Sequence, residues 1–323
     1  MKKPNDLPRL PLGLYPTPFH KLESVSRKVG KQIWMKRDDL CGVALGGNKV
    51  RKLEFLLAQA KAEGCDYVFT TGGAQSNHAM LTAACAARLG MNCILVLKER
   101  GATDRSGNLI LDSIYGADVR FLDTDSYTDI YVEMDRLKAE LEEQGHKCAI
   151  FPVGGSTALG SVGYADCVRE IAVQAMANGL KVDRIVSATG SGGTTAGLVL
   201  GAKLFLPGAA VLGMGVDPSP FATIVPHLVH EAAALLHTQV TLTPRDFEMK
   251  YSYGAGYAVP NGEDTPYILS LARDEGILLD PIYTGKAYAG MLRLLEQGYF
   301  ADDETIVFVH TGGEAALFAV ELG

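Results

Sequence analysis

Residues 46–54 read Gly46-Gly47-Asn48-Lys49-Val50-Arg51-Lys52-Leu53-Glu54. A strand-like run from Gln32 to Lys36 and the charged turn Arg37-Asp38-Asp39 precede it, and Val50, Leu53, Leu56, Leu57 and Ala60 follow at helical spacing. The pattern predicts strand, tight loop, helix, with Lys49 at the helix mouth. The two glycines predict a tight turn with room for a flat ligand. Free N–H groups and the helix dipole make that mouth a poor place for a cation. A lysine amine, ordinarily protonated below pH ~10.4, becomes a usable nucleophile toward a carbonyl when its pKa falls. A positive helix end, partial burial and the neighbouring Arg51 and Lys52 would each push it down. The plainer alternative is an exposed basic helix start.

Working outward, strand and helix patterns alternate. Strands are predicted over Tyr67–Thr71, Cys93–Leu97, Asp118–Leu122, Lys147–Pro152, Arg184–Ala188, Ala210–Val216 and Thr305–Val309. Helices are predicted over Leu22–Val29, Ser76–Leu89, Leu109–Tyr115, Tyr127–Gln144, Gly160–Asn178, Thr194–Phe205, Pro218–Leu236, Thr265–Asp274 and Lys286–Glu296, and from Gly313 onward. Leu7–Pro18 is a proline-rich, extended lead-in. This is an α/β pattern: open, twisted, mostly parallel sheets with helices on both faces. Ligands in such folds bind at the carboxyl ends of strands. Here those ends carry Gly72-Gly73-Ala74-Gln75-Ser76-Asn77-His78, Gly154-Gly155-Ser156-Thr157, Gly190-Ser191-Gly192-Gly193-Thr194 and His310-Thr311-Gly312-Gly313.

The formal net charge of −7 argues against a general polyanion-binding surface and so against nucleic acid as a partner. The start, Met1-Lys2-Lys3-Pro4-Asn5-Asp6, leads into no apolar signal core. The least charged stretch, Gly190–Val216, is broken by Pro207-Gly208 and predicts a buried helix with flanking strand, not a membrane span. Six cysteines with no C-x-x-C spacing fit a reduced, cytoplasmic enzyme.

The loop Gly190–Thr194 follows a strand and opens a helix, the setting of an anion cup. It lacks the Lys of a P-loop, the glycine a dinucleotide fingerprint needs at Thr195, and the glycine a nucleophile elbow needs at Thr189. A monophosphate cup or a plain tight turn remains. Ser76 and Asn77 fit a helix N-cap; they also fit a site for a substrate carboxylate or a ring edge, while Ser76 and His78 have no acidic partner in sequence to make a hydrolase triad. His227, His230, Glu231 and His237 match no helical zinc motif and predict a polar helix face. Tyr253-Gly254-Ala255-Gly256-Tyr257 and Asp280-Pro281-Ile282-Tyr283-Thr284-Gly285-Lys286 are irregular and aromatic. Their tyrosines are either proton shuttles with lowered pKa or amphipathic core fillers.

Taken in order, the stretch 46–54, Gln75-Ser76-Asn77-His78, Pro152-Val153-Gly154-Gly155-Ser156, Ala188–Thr194, Asp280–Lys286 and His310-Thr311-Gly312-Gly313 resemble the pyridoxal-phosphate enzymes of the D-cysteine desulfhydrase and 1-aminocyclopropane-1-carboxylate deaminase family. The resemblance covers nearly the whole chain. It implies the tryptophan-synthase-β-like fold (fold type II), a homodimer, and two domains: a large one of residues 1–52 and 161–323 and a small one, 53–160, inserted into it. It implies pyridoxal 5'-phosphate bound covalently at Lys49, its ring hydroxyl at Asn77, its phosphate at Lys52 and Gly190, Ser191, Gly192, Gly193 and Thr194, and its pyridine nitrogen at Thr311. Ser76, with Asn77 and His78 beside it, would meet a small amino-acid substrate, and Tyr257, Tyr283 and Thr284 would face it. Thr at 284 and 311 resembles the desulfhydrases; the deaminases place Glu and Leu there. A hydroxyl at the pyridine nitrogen leaves the ring nearer neutral than a carboxylate would. That suffices where a β leaving group carries electrons away. The implied reaction is α,β-elimination of D-cysteine, or a similar amino acid, to pyruvate, ammonia and hydrogen sulfide, with Lys49 as base and Tyr283 as proton donor. Cyclopropane deamination, L-cysteate sulfo-lysis and silent cofactor binding are the alternatives. One departure stands out: Met80-Leu81 replaces the Arg-Gln usual in relatives.

Overall fold

The computed structural model describes residues 2–99, 106–254 and 256–320. In chain order its elements are β1 (Phe19–Lys21), α1 (Glu23–Val29), β2 (Gln32–Arg37), α2 (Lys49–Ala62), β3 (Tyr67–Gly73), α3 (Asn77–Arg88), β4 (Asn92–Lys98), α4 (Gly107–Ile114), β5 (Asp118–Leu122) and α5 (Tyr127–Glu143). There follow β6 (Cys148–Ile150), α6 (Ala158–Ala177), β7 (Arg184–Thr189), α7 (Gly193–Phe205), β8 (Ala210–Gly215), α8 (Phe221–Leu235), β9 (Phe247–Tyr251), α9 (Thr265–Glu275), α10 (Thr284–Glu296) and β10 (Thr305–His310).

Two sheets result. One has six strands in the order β1-β2-β10-β7-β8-β9, the other four in the order β5-β4-β3-β6. Pairings are parallel except β1 with β2. Side-chain alternation explains the layering. On β10, Ile306 and Phe308 join α1, α9 and α10 on one face, while Val307 and Val309 join α6, α7 and α8 on the other. In the smaller sheet Phe69, Ile94 and Val96 pack on α5, and Val68, Leu95 and Leu97 pack on α2, α3 and α4. The central strands β8 and β10 are buried throughout, which is why they read as unbroken apolar runs.

Two strands escape the sequence pattern. β1 is only three residues long and sits at an edge. β9 carries Glu248 and Lys250 and is mostly half-buried at the opposite edge, where charge is tolerated. The expected strand Lys147–Pro152 shrinks to Cys148–Ile150. The expected terminal helix is a short 3-10 turn, Glu314–Phe318; residues 321–323 lie outside the described part.

The turn after β2 is built for backbone approach. Gly46 has φ +77°, and a Cβ there would lie 1.6 Å from the Asp39 carbonyl oxygen; at Gly47 it would lie 3.1 Å from the Thr311 carbonyl. These glycines let the loops 38–40 and 310–312 close on the start of α2. They do not serve by leaving space for a flat ligand, as the sequence had suggested.

Candidate active site

A cleft opens between the two sheets; its lining includes Lys49, Ser76, Asn77, Gly190, Tyr257 and Tyr283. His78, Ser191, Gly192, Thr194 and Thr311 also line it. The glycine loops converge because each follows the carboxyl end of a parallel strand and opens a helix.

Lys49 is the first residue of α2 and only partly buried, so the cleft reaches its amine. Among the described residues the one bond to Nζ is long, 3.4 Å to the Gly154 carbonyl. Burial lowers its pKa from 10.5 to about 8. Of the neighbours expected to assist, Arg51 does not. Residues two apart on a helix point away from each other, and the Arg51 guanidinium grips Asp38 and Glu170 at 2.7–2.9 Å. Lys52, one turn on, lies on the Lys49 side. Its pKa is pushed well down by burial and by the Lys49 charge, and its Nζ donates to the Gly154 carbonyl (3.0 Å) and Ser156 Oγ (3.3 Å).

Ser156 follows Gly154 and Gly155 in the loop between β6 and α6. Its Oγ lies 2.8 Å from Ser191 Oγ and accepts from the Gly193 N–H at 3.2 Å. Lys52, Ser156, Ser191 and the start of α7 thus gather cationic, hydroxyl and amide donors at one point, the chemistry of an anion cup. Asn48 Nδ2 donates to Thr194 Oγ1 at 2.9 Å and ties that cup to α2.

Ser76 caps α3, its Oγ accepting from the Ala79 N–H at 3.2 Å, and also faces the cleft. Asn77 is oriented by Asn108, which no sequence signal marked. Asn108 Nδ2 donates to the Gln75 carbonyl (2.9 Å) and to Asn77 Oδ1 (2.8 Å). A backbone carbonyl can only accept, so the atom facing Asn108 on Asn77 is its oxygen, and the Asn77 amide is left as the donor. His78 is buried beside Gly155, with neither ring nitrogen hydrogen-bonded among the described residues. Burial and the charges of Lys49 and Lys52 hold it neutral, well below its usual pKa.

The Tyr257 and Tyr283 hydroxyls meet at 2.5 Å. Burial raises both pKa values, that of Tyr283 strongly, contrary to the lowered values expected of shuttles; they are protonated donors. Ala255, in the same stretch, lies outside the described residues. Tyr283 is set by Asp280, whose buried carboxylate accepts from the N–H groups of Ile282, Tyr283 and Thr284 at 2.7–2.9 Å. An Asp just ahead of a helix start was the available signal. Thr284 does not line the cleft: its hydroxyl donates to Asp280 at 2.6 Å and accepts from the Asp280 N–H. Met80 and Leu81 are core residues, and Leu81 packs under Gly47, so the departure there supports the wall from behind. His227, His230, Glu231 and His237 are exposed in or just after α8.

A family model described as pyridoxal-phosphate-dependent enzyme matches residues 10–312. A protein named D-cysteine desulfhydrase from Yersinia enterocolitica is 42% identical over 320 residues, covering 97% of this chain and 96% of its own. The crystal structure of an ACC deaminase homologue superposes with a TM-score of 0.90 at 37% identity, over 97% of this chain and 94% of that one. Diaminopropionate ammonia lyase from Escherichia coli shares the fold, with a TM-score of 0.65 at 17% identity, over 94% and 86% of the two chains.

Proposed function

The chain belongs to the family of pyridoxal-phosphate-dependent enzymes, and from that premise we propose that it is a carbon–sulfur lyase. It eliminates sulfide from D-cysteine, or a similar small amino acid with a leaving group on Cβ, to give pyruvate, ammonia and hydrogen sulfide. The observation that carries this is the meeting, in one cleft, of a lysine lowered to about 8, an anion cup and two protonated tyrosines. The relatives named D-cysteine desulfhydrase point the same way.

The residues present fit the cofactor. The Lys49 amine, whose bond to the Gly154 carbonyl is long, would hold the aldehyde. Lys52 with Gly190, Ser191, Gly192, Gly193 and Thr194 would hold the phosphate. The Asn77 amide, left as a donor by Asn108, would meet the ring hydroxyl, and Thr311 the pyridine nitrogen. When bound, the cofactor supplies the electron sink for the carbon that loses its proton.

The chain's own groups do the rest. Ser76 Oγ and the amides at the start of α3 bind the substrate carboxylate, with His78, neutral, behind them. Lys49 Nζ takes the α-proton. The Cβ–S electron pair leaves with sulfur, which receives a proton from Tyr283 Oη; Tyr257 hydrogen-bonds to that hydroxyl. Thr311 would offer a hydroxyl rather than a carboxylate to the pyridine nitrogen, which would suit elimination, because the leaving group relieves the negative charge. Thr284 acts from outside the cleft, by holding Asp280 and so Tyr283.

The same reading gives a large domain, residues 1–52 and 161–323, and a small inserted one, 53–160, supported by the contiguous strands β3–β6 of the smaller sheet. It gives a cytoplasmic homodimer, supported by six unpaired cysteines and by exposed Leu14, Leu40 and Leu45 around Gly42; sedimentation at a single-chain mass would remove the dimer. Among the described residues no helix is long and apolar enough to cross a membrane.

The test is keto-acid release from D- and L-cysteine, β-chloroalanine, serine, cysteate and 1-aminocyclopropane-1-carboxylate. Pyruvate and sulfide from D-cysteine, lost in Lys49→Ala, is the expected result. Release of 2-oxobutanoate from the cyclopropane acid would favour the deaminase, pyruvate and sulfite from L-cysteate the sulfo-lyase, and a coloured but inactive protein a silent binder. Undiminished turnover by Lys49→Ala would sink the mechanism.

A further inference from the structure

Lys286 lies in the first turn of α10 and is fully buried. Its Nζ donates to the carbonyls of Tyr253 (2.7 Å) and Gly256 (2.8 Å). As a core filler it is an expensive choice. A buried ammonium is penalised by desolvation, and a cation in the first helical turn opposes the dipole. Methionine would fill the volume without either penalty. Burial lowers its pKa, and the nearby Asp264 and Asp280 carboxylates offset part of that. Further along α10, Gly290 carries no side chain where the same segment arrives: a Cβ would come within 3.0 Å of Ser252 Cβ. The helix is shaped to receive this segment, and the lysine grips it on either side of a turn closed by the Gly256 N–H on the Tyr253 carbonyl. The residue that follows is Tyr257, whose hydroxyl meets that of Tyr283, the residue just ahead of α10.

We propose that Lys286 is a positioning residue: it latches the segment bearing Tyr253 and Gly256 to α10 and thereby sets the Tyr257 hydroxyl against Tyr283 over the cleft. This rests on the reading of the two tyrosines given above. One helix then holds both rings. Asp280 fixes Tyr283 from ahead of the helix start, and Lys286 fixes Tyr257 from the first turn. Misplacement of a reacting group by about 1 Å can reduce turnover ~100-fold, so the latch is worth a buried charge.

The experiment is a double-mutant cycle on the cofactor-loaded enzyme, with amide exchange on the cofactor-free chain as a second readout. Tyr257→Phe lowers kcat. Lys286→Met lowers kcat about 10- to 100-fold with a smaller change in KM. The double variant falls no more than about twofold below the lower single, because both changes remove one function. In Lys286→Met, peptides covering 252–260 exchange about tenfold faster, while the later turns of α10 keep their protection. Should Lys286→Met fail to fold, Lys286→Gln is read in the same way. Multiplicative effects, full turnover in the Lys286 variant, or unchanged exchange at 252–260 each overturn the latch while leaving the tyrosine assignment standing. A silent Tyr257→Phe instead overturns the tyrosine assignment, and the latch with it.

Discussion

Single side chains in this molecule are held by partners that themselves do no chemistry. Asn108 is an example: fully buried, it decides which atom of Asn77 faces the cleft. Asn108→Ala leaves the Gln75 carbonyl and Asn77 Oδ1 short of a donor, a loss of about 1–3 kcal/mol. The expected outcome is weaker pyridoxal-phosphate binding by about tenfold, read by titrating the chromophore, with catalysis at saturating cofactor reduced less. Asp112 is the opposite case. It is buried on α4 with neither carboxylate oxygen hydrogen-bonded among the described residues, and burial raises its pKa from 3.8 to about 8. The folded chain therefore keeps a proton that the unfolded chain releases near 3.8. The stability this confers is fully present below that value and is lost as pH rises toward 8. Asp112→Asn is expected to flatten the melting temperature between pH 5 and 8, and to raise it at pH 8. An unchanged slope would remove Asp112 as its source.

At the scale of the element, α10 is organised from its start. The Asp280 carboxylate accepts from the N–H groups of Ile282, Tyr283 and Thr284 and from the Thr284 hydroxyl, fixing the turn that leads into the helix and satisfying the N–H of its first residue. Asp280→Ala should cost about 2–3 kcal/mol in stability and lower kcat, because Tyr283 loses its anchor. Chemical denaturation and steady-state kinetics on the same preparation check both. A loss of stability with intact kcat would mean that the cap serves the helix alone. Helix periodicity also assigns the basic residues of α2: positions 49 and 52 share a face, Lys49 lining the cleft and Lys52 buried against Gly154 and Ser156, while 51 points the other way.

At the scale of the whole molecule, Arg51 joins three segments. It forks onto Asp38 after β2 and Glu170 on α6, Lys36 on β2 adds a second bond to Glu170 at 2.8 Å, and Tyr164 donates to Asp38 at 2.6 Å. This buried cluster is the back wall of the turn that presents Lys49. Arg51→Met strands two buried carboxylates and should destabilise the chain by about 3–5 kcal/mol, seen as a large fall in the denaturation midpoint. Arg51 and its neighbours lower the Asp38 pKa below 3.8. That contribution is present above the unfolded value and is lost as pH falls through the folded one, so the wild-type cluster should resist mild acid. A variant as stable as wild type would show the cluster to be dispensable.

Periodicity and strand–helix alternation were enough to place the parallel sheets, their helices and the glycine loops at the carboxyl ends of the strands, because those signals are local and repeat within a few residues. The motifs in order were enough to name most of the residues that line the cleft, although Lys52, Gly193 and Thr284, named with them, do not line it. What sequence could not supply was the direction of each side chain and the identity of its partner. Arg51 looked like a helper of Lys49 until its carboxylates, 13 residues back and 119 ahead, turned it away. Thr284 looked like a substrate contact until Asp280 consumed its hydroxyl. The edge strands β1 and β9, and the roles of Asn108 and Lys286, likewise exist only once distant segments meet. Burial decides the price of a charge or an unpaired donor, and burial is a property of the assembled chain, not of any stretch of it.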